Sequence, residues 1–426
     1  MKKLTMLYDA TMVCNILEKN FLRSGLFFVA YNVLLELLKR DEFEIYLYAE
    51  DSYKLQKVIK SYSEFKKCKL YKYSNFDKLI SYFSELKSNN KRNNGNKIFR
   101  MFEGLFVSLL KRLKFAYFKF SLKLEDIDVY FSPVKAVPNF VSDKEHIKKY
   151  VILHDTIPLK NDYYKGKAVT WYHKLLKSIN DKDNYFANSL CTKQDFIEYV
   201  PTINPENITV IPLSTGKAYF KIDDCYYINQ IKRKYGIPAD KKYIFSLCNL
   251  DPRKNLIFAI KNFFYFIEKY NLDDFIFVLG GSHFKGFEDI LNKNIENLGD
   301  KKNKILRIGY VDDEDMSALY SGAEMFVFPS LYEGFGIPVL EAMKCGLPVI
   351  CSNTTSLPEV IGDCGIQINP YSDKALIEAM EKMYFDREFR QECIKKGLER
   401  AKLFTWKKCA DVITNKIVEE AAGGVK

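Results

Sequence analysis

Almost from end to end, short runs of β-branched and aromatic residues alternate with longer stretches whose apolar residues recur at helical spacing. Parallel strands need a crossover of a dozen or more residues, usually a helix, so this order is the signature of parallel sheets built from strand–helix–strand units. In the first half, strands are expected near Leu4–Tyr8, Glu44–Tyr48, Val129–Phe131, Tyr150–Leu153, Tyr185–Ala187 and Thr209–Ile211. The series breaks at Ile211-Pro212-Leu213-Ser214-Thr215-Gly216. A second series follows, near Tyr243–Leu247, Phe275–Leu279, Leu306–Ile308, Met325–Phe328, Val349–Cys351 and Gly365–Ile368. The expected architecture is α/β, with two doubly wound, Rossmann-like domains facing each other across a cleft lined by strand carboxyl ends, where ligands of such sheets bind. The segment Asn89–Asn96 holds no apolar residue and reads as a loop tip.

Length and composition fit that picture. A chain of 426 residues, 47% hydrophobic, can bury the cores of two domains of about 200 residues each. No stretch reaches the roughly 18 consecutive apolar residues of a membrane-spanning helix. The apolar run in Met1–Asn15 is interrupted by Asp9 before a signal-peptide core would be complete, and it reads as a first strand. Ten cysteines form no CxxC pair and four histidines are scattered, so reduced thiols in a cytoplasmic protein are expected, with no metal.

The net charge of +11 is concentrated: residues 51–123 hold 18 Lys and Arg against 5 Asp and Glu. There Ile98, Phe102, Leu105, Phe106, Leu109 and Leu113 recur at helical spacing, flanked by Lys97, Arg100, Lys111, Arg112 and Lys114. Two readings stand: a domain helix with a solvated charged face, or a peripheral contact of 97–123 with an anionic membrane surface. No recognition motif accompanies the charge, so no nucleic acid partner is expected.

The most informative stretch is Phe328-Pro329-Ser330-Leu331-Tyr332-Glu333-Gly334-Phe335-Gly336-Ile337-Pro338-Val339-Leu340-Glu341-Ala342-Met343. A strand ends near Pro329, a glycine-bearing loop follows, and Pro338 is placed to begin a helix that stops at Gly346. The free amides and positive dipole end of a helix N-terminus suit a diphosphate, and glycines let it approach. Glu333 and Glu341 can both face such a ligand, one on sugar hydroxyls and the other on a ribose diol. The bland alternative is a solvated loop and a surface glutamate. Asp126-Ile127-Asp128 has the form of a metal-binding DxD but precedes a strand and reads as a solvated strand entry.

With its flanks, that stretch resembles the E-x7-E signature of glycosyltransferase family 4, whose members have the GT-B fold. The similarity continues through Gly346-Leu347-Pro348-Val349-Ile350, Ser352-Asn353, Leu357-Pro358-Glu359-Val360 and Gly362-Asp363. It runs back through Gly309-Tyr310-Val311 and Leu319-Tyr320 to Leu250-Asp251-Pro252-Arg253-Lys254-Asn255. The first domain matches at Arg23-Ser24-Gly25, at His154-Asp155-Thr156-Ile157-Pro158-Leu159, and at Ala187-Asn188-Ser189 with Lys193. Phe404-Thr405-Trp406 resembles the start of the last helix, which in this fold crosses back to the first domain. The implied division is an acceptor-binding domain at 1–213, a nucleotide-sugar-binding domain at 214–404 and a returning helix at 405–426.

The resemblance implies a retaining, metal-independent hexosyltransferase acting from a nucleotide diphosphate sugar, with no cofactor. It places Glu333 and the amides of Gly334, Phe335, Gly336 and Ile337 on the donor sugar and phosphate, and Glu341 on the ribose. Lys254 falls on the diphosphate, where its charge would stabilise the leaving group. Gly25 lies by the donor phosphate, and His154 hydrogen-bonds the sugar beside the reacting carbon. Where the family commonly has an arginine five residues before the lysine, this chain has Asn249; Arg253 is the remaining cation, and it either helps or points away. Asp155 is the fallback nucleophile should a double displacement operate. GDP-mannose is the expected donor, and a lipid-linked glycan on the inner face of the cell membrane the expected acceptor, in surface polysaccharide or glycolipid assembly. The rival readings are a catalytically idle sugar-binding or membrane-scaffold relative, and a phosphorylase or epimerase on the same fold.

Overall fold

The chain is described from a computed structural model, over residues 3–17, 25–72, 74–92, 104–110, 112–113, 124–160, 167–281 and 287–423. Arg23 and Ser24 of the first-domain motif lie outside these residues, as do Lys97, Ile98, Arg100, Phe102, Lys111 and Lys114 of the basic segment.

Two parallel sheets organise the described residues. The first contains β1 (Leu4–Asp9), β2 (Phe43–Tyr48), β3 (Lys69–Leu70), β4 (Val129–Ser132), β5 (Lys148–Leu153), β6 (Asn184–Ala187) and β7 (Ile208–Val210), in the order β3-β2-β1-β4-β5-β6-β7. The second contains β8 (Lys242–Leu247), β9 (Phe275–Gly280), β10 (Ile305–Gly309), β11 (Met325–Phe328), β12 (Val349–Ser352) and β13 (Ile366–Ile368), in the order β10-β9-β8-β11-β12-β13. Every pairing is parallel. Helices cover both faces, so central strands are buried along their length and read as continuous apolar runs: β4, β9, β11 and β12 have no exposed residue. Strand order reverses between β1 and β4, and again between β8 and β11; a crevice opens at each such switch point, which is where the site is built.

The expected strands are present with ends shifted by one or two residues. The two-residue edge strand β3 is an addition, too short to leave a periodic signal. The expected loop tip at Asn89–Asn96 is corrected in part, because the helix Asn75–Arg92 covers its first four residues. No Pro or Gly interrupts the chain there before Gly95, and polar residues alone do not end a helix. All ten cysteines are free, and Cys14, Cys248, Cys345, Cys351, Cys364, Cys393 and Cys409 are buried. Asp128 accepts the Thr5 amide at 2.8 Å, tying the DxD-like segment to the entry of β1.

The last helix, Trp406–Gly423, belongs spatially to the first sheet. Cys409, Ala410, Ile413 and Ile417 are completely buried in the same core as Val33, Leu34 and Leu37 of the helix Gly25–Leu37. Asp411 pairs with Arg40 at 2.8 Å, and Glu420 accepts from the Tyr150 hydroxyl at 2.7 Å and, through its carbonyl, from Lys148 at 2.8 Å. The two segments joining the halves run side by side: Ser214 Oγ donates to Phe404 O at 2.8 Å and the Trp406 indole N–H to Thr215 O at 2.9 Å. Removing the buried side chain in Ile413→Ala should cost about 2–5 kcal/mol of unfolding free energy by chemical denaturation. A loss below about 0.5 kcal/mol would mean that the helix is not packed into this core.

Candidate functional site

A cleft of about 410 Å³ lies between the two sheets, and all ten residues singled out from sequence line it: Gly25, His154, Arg253, Lys254, Glu333, Gly334, Phe335, Gly336, Ile337 and Glu341. Its centre is the loop leaving β11. Ser330 is fully buried and donates to Glu333 Oε1 at 2.6 Å, turning that side chain inward. A second loop, leaving β8, meets it there. Asp251 caps the short turn Pro252–Lys254 by accepting the Arg253 amide at 3.0 Å, and Leu331 N–H donates to Arg253 O at 2.7 Å, which locks the two loops together.

The consequence is a buried carboxylate with two cations. Lys254 Nζ stands 2.5 Å and Arg253 Nη1 2.8 Å from Glu333 Oε1, and Arg253 also donates to Tyr332 O at 2.7 Å. Burial alone would raise the Glu333 pKa, but Arg253, Lys254 and the Ser330 hydroxyl overcome it and hold the carboxyl at about 2. Lys254, itself buried, has its pKa lowered by burial and then by Arg253, with Glu333 opposing. The Arg253 guanidinium therefore turns toward the cleft. Asn249, where a cation was missed, also lines the cleft.

The helix Ile337–Lys344 begins one residue earlier than expected, with Pro338 second, and ends at the left-handed Gly346 in a Schellman turn closed by Leu347 N–H on Ala342 O at 2.9 Å. Two glycines at its start are needed for different reasons. Gly336 has φ of 111°, which side chains rarely adopt, and a Cβ on Gly334 would meet His154 O at 2.6 Å and the Asp155 Cβ at 2.7 Å. The loop thus lies against the first domain. Gly25, at the start of its own helix, sits opposite: a Cβ there would be 3.9 Å from Ile337 Cδ1.

Glu341 lies one turn into the helix, 8% exposed, and accepts from Tyr320 Oη at 2.9 Å. With no cation on it, burial pushes its pKa up to about 7, against hydrogen bonds from Tyr320 and Tyr219; Asp313 adds to the rise and Lys344 opposes it. His154 stands at the end of β5, where burial lowers its pKa to about 4 and leaves the ring neutral at pH 7. Its Nε2 lies 2.6 Å from Pro133 O; a carbonyl only accepts, so Nε2 carries the proton and Nδ1 remains an acceptor. The neighbouring Asp155 is half-buried, its pKa raised by desolvation, and its Oδ1 accepts the Ile157 amide at 3.0 Å.

Sequence reasoning did not find Ser330 or Tyr320, the hydrogen-bond partners of the two glutamates, nor Tyr219 and Asp313 on the cleft wall. Ser330 had a signal, its position three residues before Glu333; Tyr219 sits in the crossing segment between domains and had none. Among the described residues, no group of three or more His, Cys, Asp or Glu stands together to hold a metal ion.

Comparison with known proteins adds the following. A family model described as "Glycosyl transferases group 1" matches residues 228–400. The chain is 31% identical over 283 residues to the O-antigen chain mannosyltransferase B of Escherichia coli, covering 65% of this chain and 72% of that one. It is 33% identical over 263 residues to the serotype-specific mannosyltransferase WbdA of Escherichia coli, over 61% of this chain; the chain spans about a third of that relative's length, 32%. The solved structure of HepE from Anabaena, in complex with UDP and glucose, superposes with a TM-score of 0.64 at 15% identity, covering 99% of this chain and all of that one. That likeness establishes the fold, and the expected GT-B architecture is the one observed.

Glu341 gives a pH test independent of any ligand. Its folded pKa, near 7, lies above the unfolded value near 4.3, so the native state holds the extra proton between them and loses stability as pH rises through that window. Glu341→Gln should therefore match wild type near pH 4 and exceed it by up to about 3 kcal/mol above pH 7. A stability difference flat in pH would show that Glu341 is an ordinary carboxylate.

Proposed function

The chain belongs to the group 1 glycosyl transferases, and on that premise we propose that it transfers a hexose from a nucleoside diphosphate sugar to a glycan or lipid-linked acceptor, retaining anomeric configuration and using no metal. The observation that carries this reading is the convergence of Lys254, Arg253 and Glu333 on the N-terminus of the helix Ile337–Lys344, with Glu341 eight residues on, in a cleft between two sheets. Mannose is the favoured sugar because both relatives described above are named mannosyltransferases, and O-antigen or related surface polysaccharide is the favoured product for the same reason. Assignment to glycosyltransferase family 4 rests on the E-x7-E spacing of Glu333 and Glu341.

In this mechanism the diphosphate rests on the amides of Gly334 to Ile337 with Gly25 facing it, and Lys254 and Arg253 neutralise the charge that grows as the C1–O bond breaks. Glu333, held ionised, accepts sugar hydroxyls, and the neutral His154 accepts another through Nδ1. Glu341 takes the ribose diol. The acceptor oxygen bonds C1 on the face the diphosphate leaves, and its proton passes to the departing phosphate oxygen. Three donors already hold Glu333 Oε1, which favours this front-face course over attack by that carboxylate.

The acceptor's location enters the same proposal. Residues 104–110 and 112–113 are helical; Leu105, Leu109 and Leu113 are 61%, 51% and 46% exposed, and Phe106, 42% exposed, meets the Phe83 ring edge-on at 4.8 Å. An outward apolar row within a basic stretch supports peripheral docking on an anionic bilayer, at the inner face of the cell membrane. No described helix is long and apolar enough to cross a membrane.

Incubation with a panel of nucleotide sugars should release nucleoside diphosphate from one donor, GDP-mannose first, and raise the melting temperature with it. Lys254→Ala and Glu333→Ala should each lower turnover by about a hundredfold or more. If every donor leaves both signals unchanged, the idle-scaffold reading replaces this one. Replacing Leu105 and Leu109 by Ser should weaken co-sedimentation with phosphatidylglycerol vesicles by about tenfold or more, at about 1.5–3 kcal/mol per buried leucine. Equal sedimentation of variant and wild type would remove the membrane from the reading.

A further inference from the structure

The reacting groups sit on different domains, His154 on the first and the Glu333 loop on the second, so the chemistry depends on what fixes the distance between them. One helix start does this work. Ser189 caps the helix Leu190–Tyr199 by accepting the Thr192 amide at 3.0 Å, and its hydroxyl donates across the cleft to Gly334 O at 2.7 Å. The Thr192 hydroxyl lies 3.2 Å from His154 O and 3.2 Å from Gly334 O, bridging the backbones of the two sides.

From the second domain, Glu359 grips the same helix start. Its two carboxylate oxygens accept the Leu190 amide at 2.7 Å and the Cys191 amide at 2.8 Å. One turn further along, Asp195 is buried between Lys160 Nζ at 2.5 Å and Thr156 Oγ1 at 3.0 Å, and it receives the hydroxyl of Tyr332, the residue before Glu333. The Tyr332 hydroxyl also lies 3.0 Å from Thr156 Oγ1, two residues after His154. Ser189, Thr192, Glu359 and Tyr332 thus make contacts that cross between the domains, while Lys160 and Thr156 hold Asp195 from within the first.

We propose that Glu359 and Tyr332, acting on Ser189, Thr192 and Asp195, are positioning residues for sugar transfer: they set the register of the Glu333 loop against His154. Most of the donor's contacts, with Lys254, Arg253, Glu333 and Glu341, lie on the second domain, with Gly25 and His154 on the first, so most donor affinity survives loss of Glu359 or Tyr332 while the reacting geometry does not. This inference rests on the glycosyl-transfer reading above.

The test compares Glu359→Ala, Glu359→Gln and Tyr332→Phe with wild type in steady-state assays on the donor identified by the panel, alongside melting temperature and hydrogen exchange. Glu359→Ala and Tyr332→Phe should lower kcat about tenfold or more with donor KM within about threefold, at nearly unchanged melting temperature. Glu359→Gln, which keeps one acceptor oxygen, should recover part of the loss. In Glu359→Ala, the amides of Leu190, Cys191 and the Gly334–Ile337 loop should exchange faster together. A kcat within twofold of wild type, or a fall matched by lost folded protein, overturns the proposal. Should wild type turn over no nucleotide sugar, the function fails on its own; unchanged exchange at Gly334–Ile337 in Glu359→Ala then overturns the positioning role separately.

Discussion

An ionised carboxylate removed from water has to be compensated in place, because its lost hydration costs several kcal/mol that only close cations and donors can offset. Glu333 is 6% exposed, so Lys254, Arg253 and Ser330 must converge on one of its oxygens. Lys254 and Arg253 come from the loop after β8, Ser330 and Glu333 from the loop after β11, two strands that lie side by side in the second sheet. The carboxylate thus cross-links the crevice at the switch point of that sheet.

The second glutamate shows how far environment decides the behaviour of like groups. Glu341 sits eight residues from Glu333 and is equally buried, but a tyrosine hydroxyl stands where Glu333 has cations, and its carboxyl rises to about 7 while the other falls to about 2. One is held charged; the other is poised to change charge near neutrality.

Much of this was legible in the sequence, for physical reasons that differ from place to place. Strands buried on both faces, such as Met325–Phe328 and Val349–Ser352, leave unbroken apolar runs that are hard to mistake, whereas the edge pair Lys69–Leu70 is too short and too exposed to leave any. The loop from Ser330 to Ile337 could be read because Glu333, Gly334 and Gly336 stand close together in sequence between the flanking Pro329 and Pro338. Tyr320, Tyr219 and Asp313 could not, since their relation to Glu341 exists only after the chain has folded across itself. Nor did charge patterning reveal that Glu359 would be spent on amides of the other domain. The row Leu105, Phe106, Leu109 and Leu113 was read correctly as a repeat, but a repeat alone cannot say whether its apolar side turns inward.

The returning helix Trp406–Gly423 has a consequence for how the molecule is made. The first sheet's core includes Ile413 and Ile417, so the amino-terminal half lacks part of its interior until the returning helix has left the ribosome. At about 5–20 residues per second, some 190 intervening residues delay that moment by roughly 10–40 s, during which the surface formed by Val33, Leu34 and Leu37 stands uncovered. The second domain, continuous in sequence between the two crossings, can close in the meantime. Vectorial synthesis therefore completes the second-born domain before the first-born.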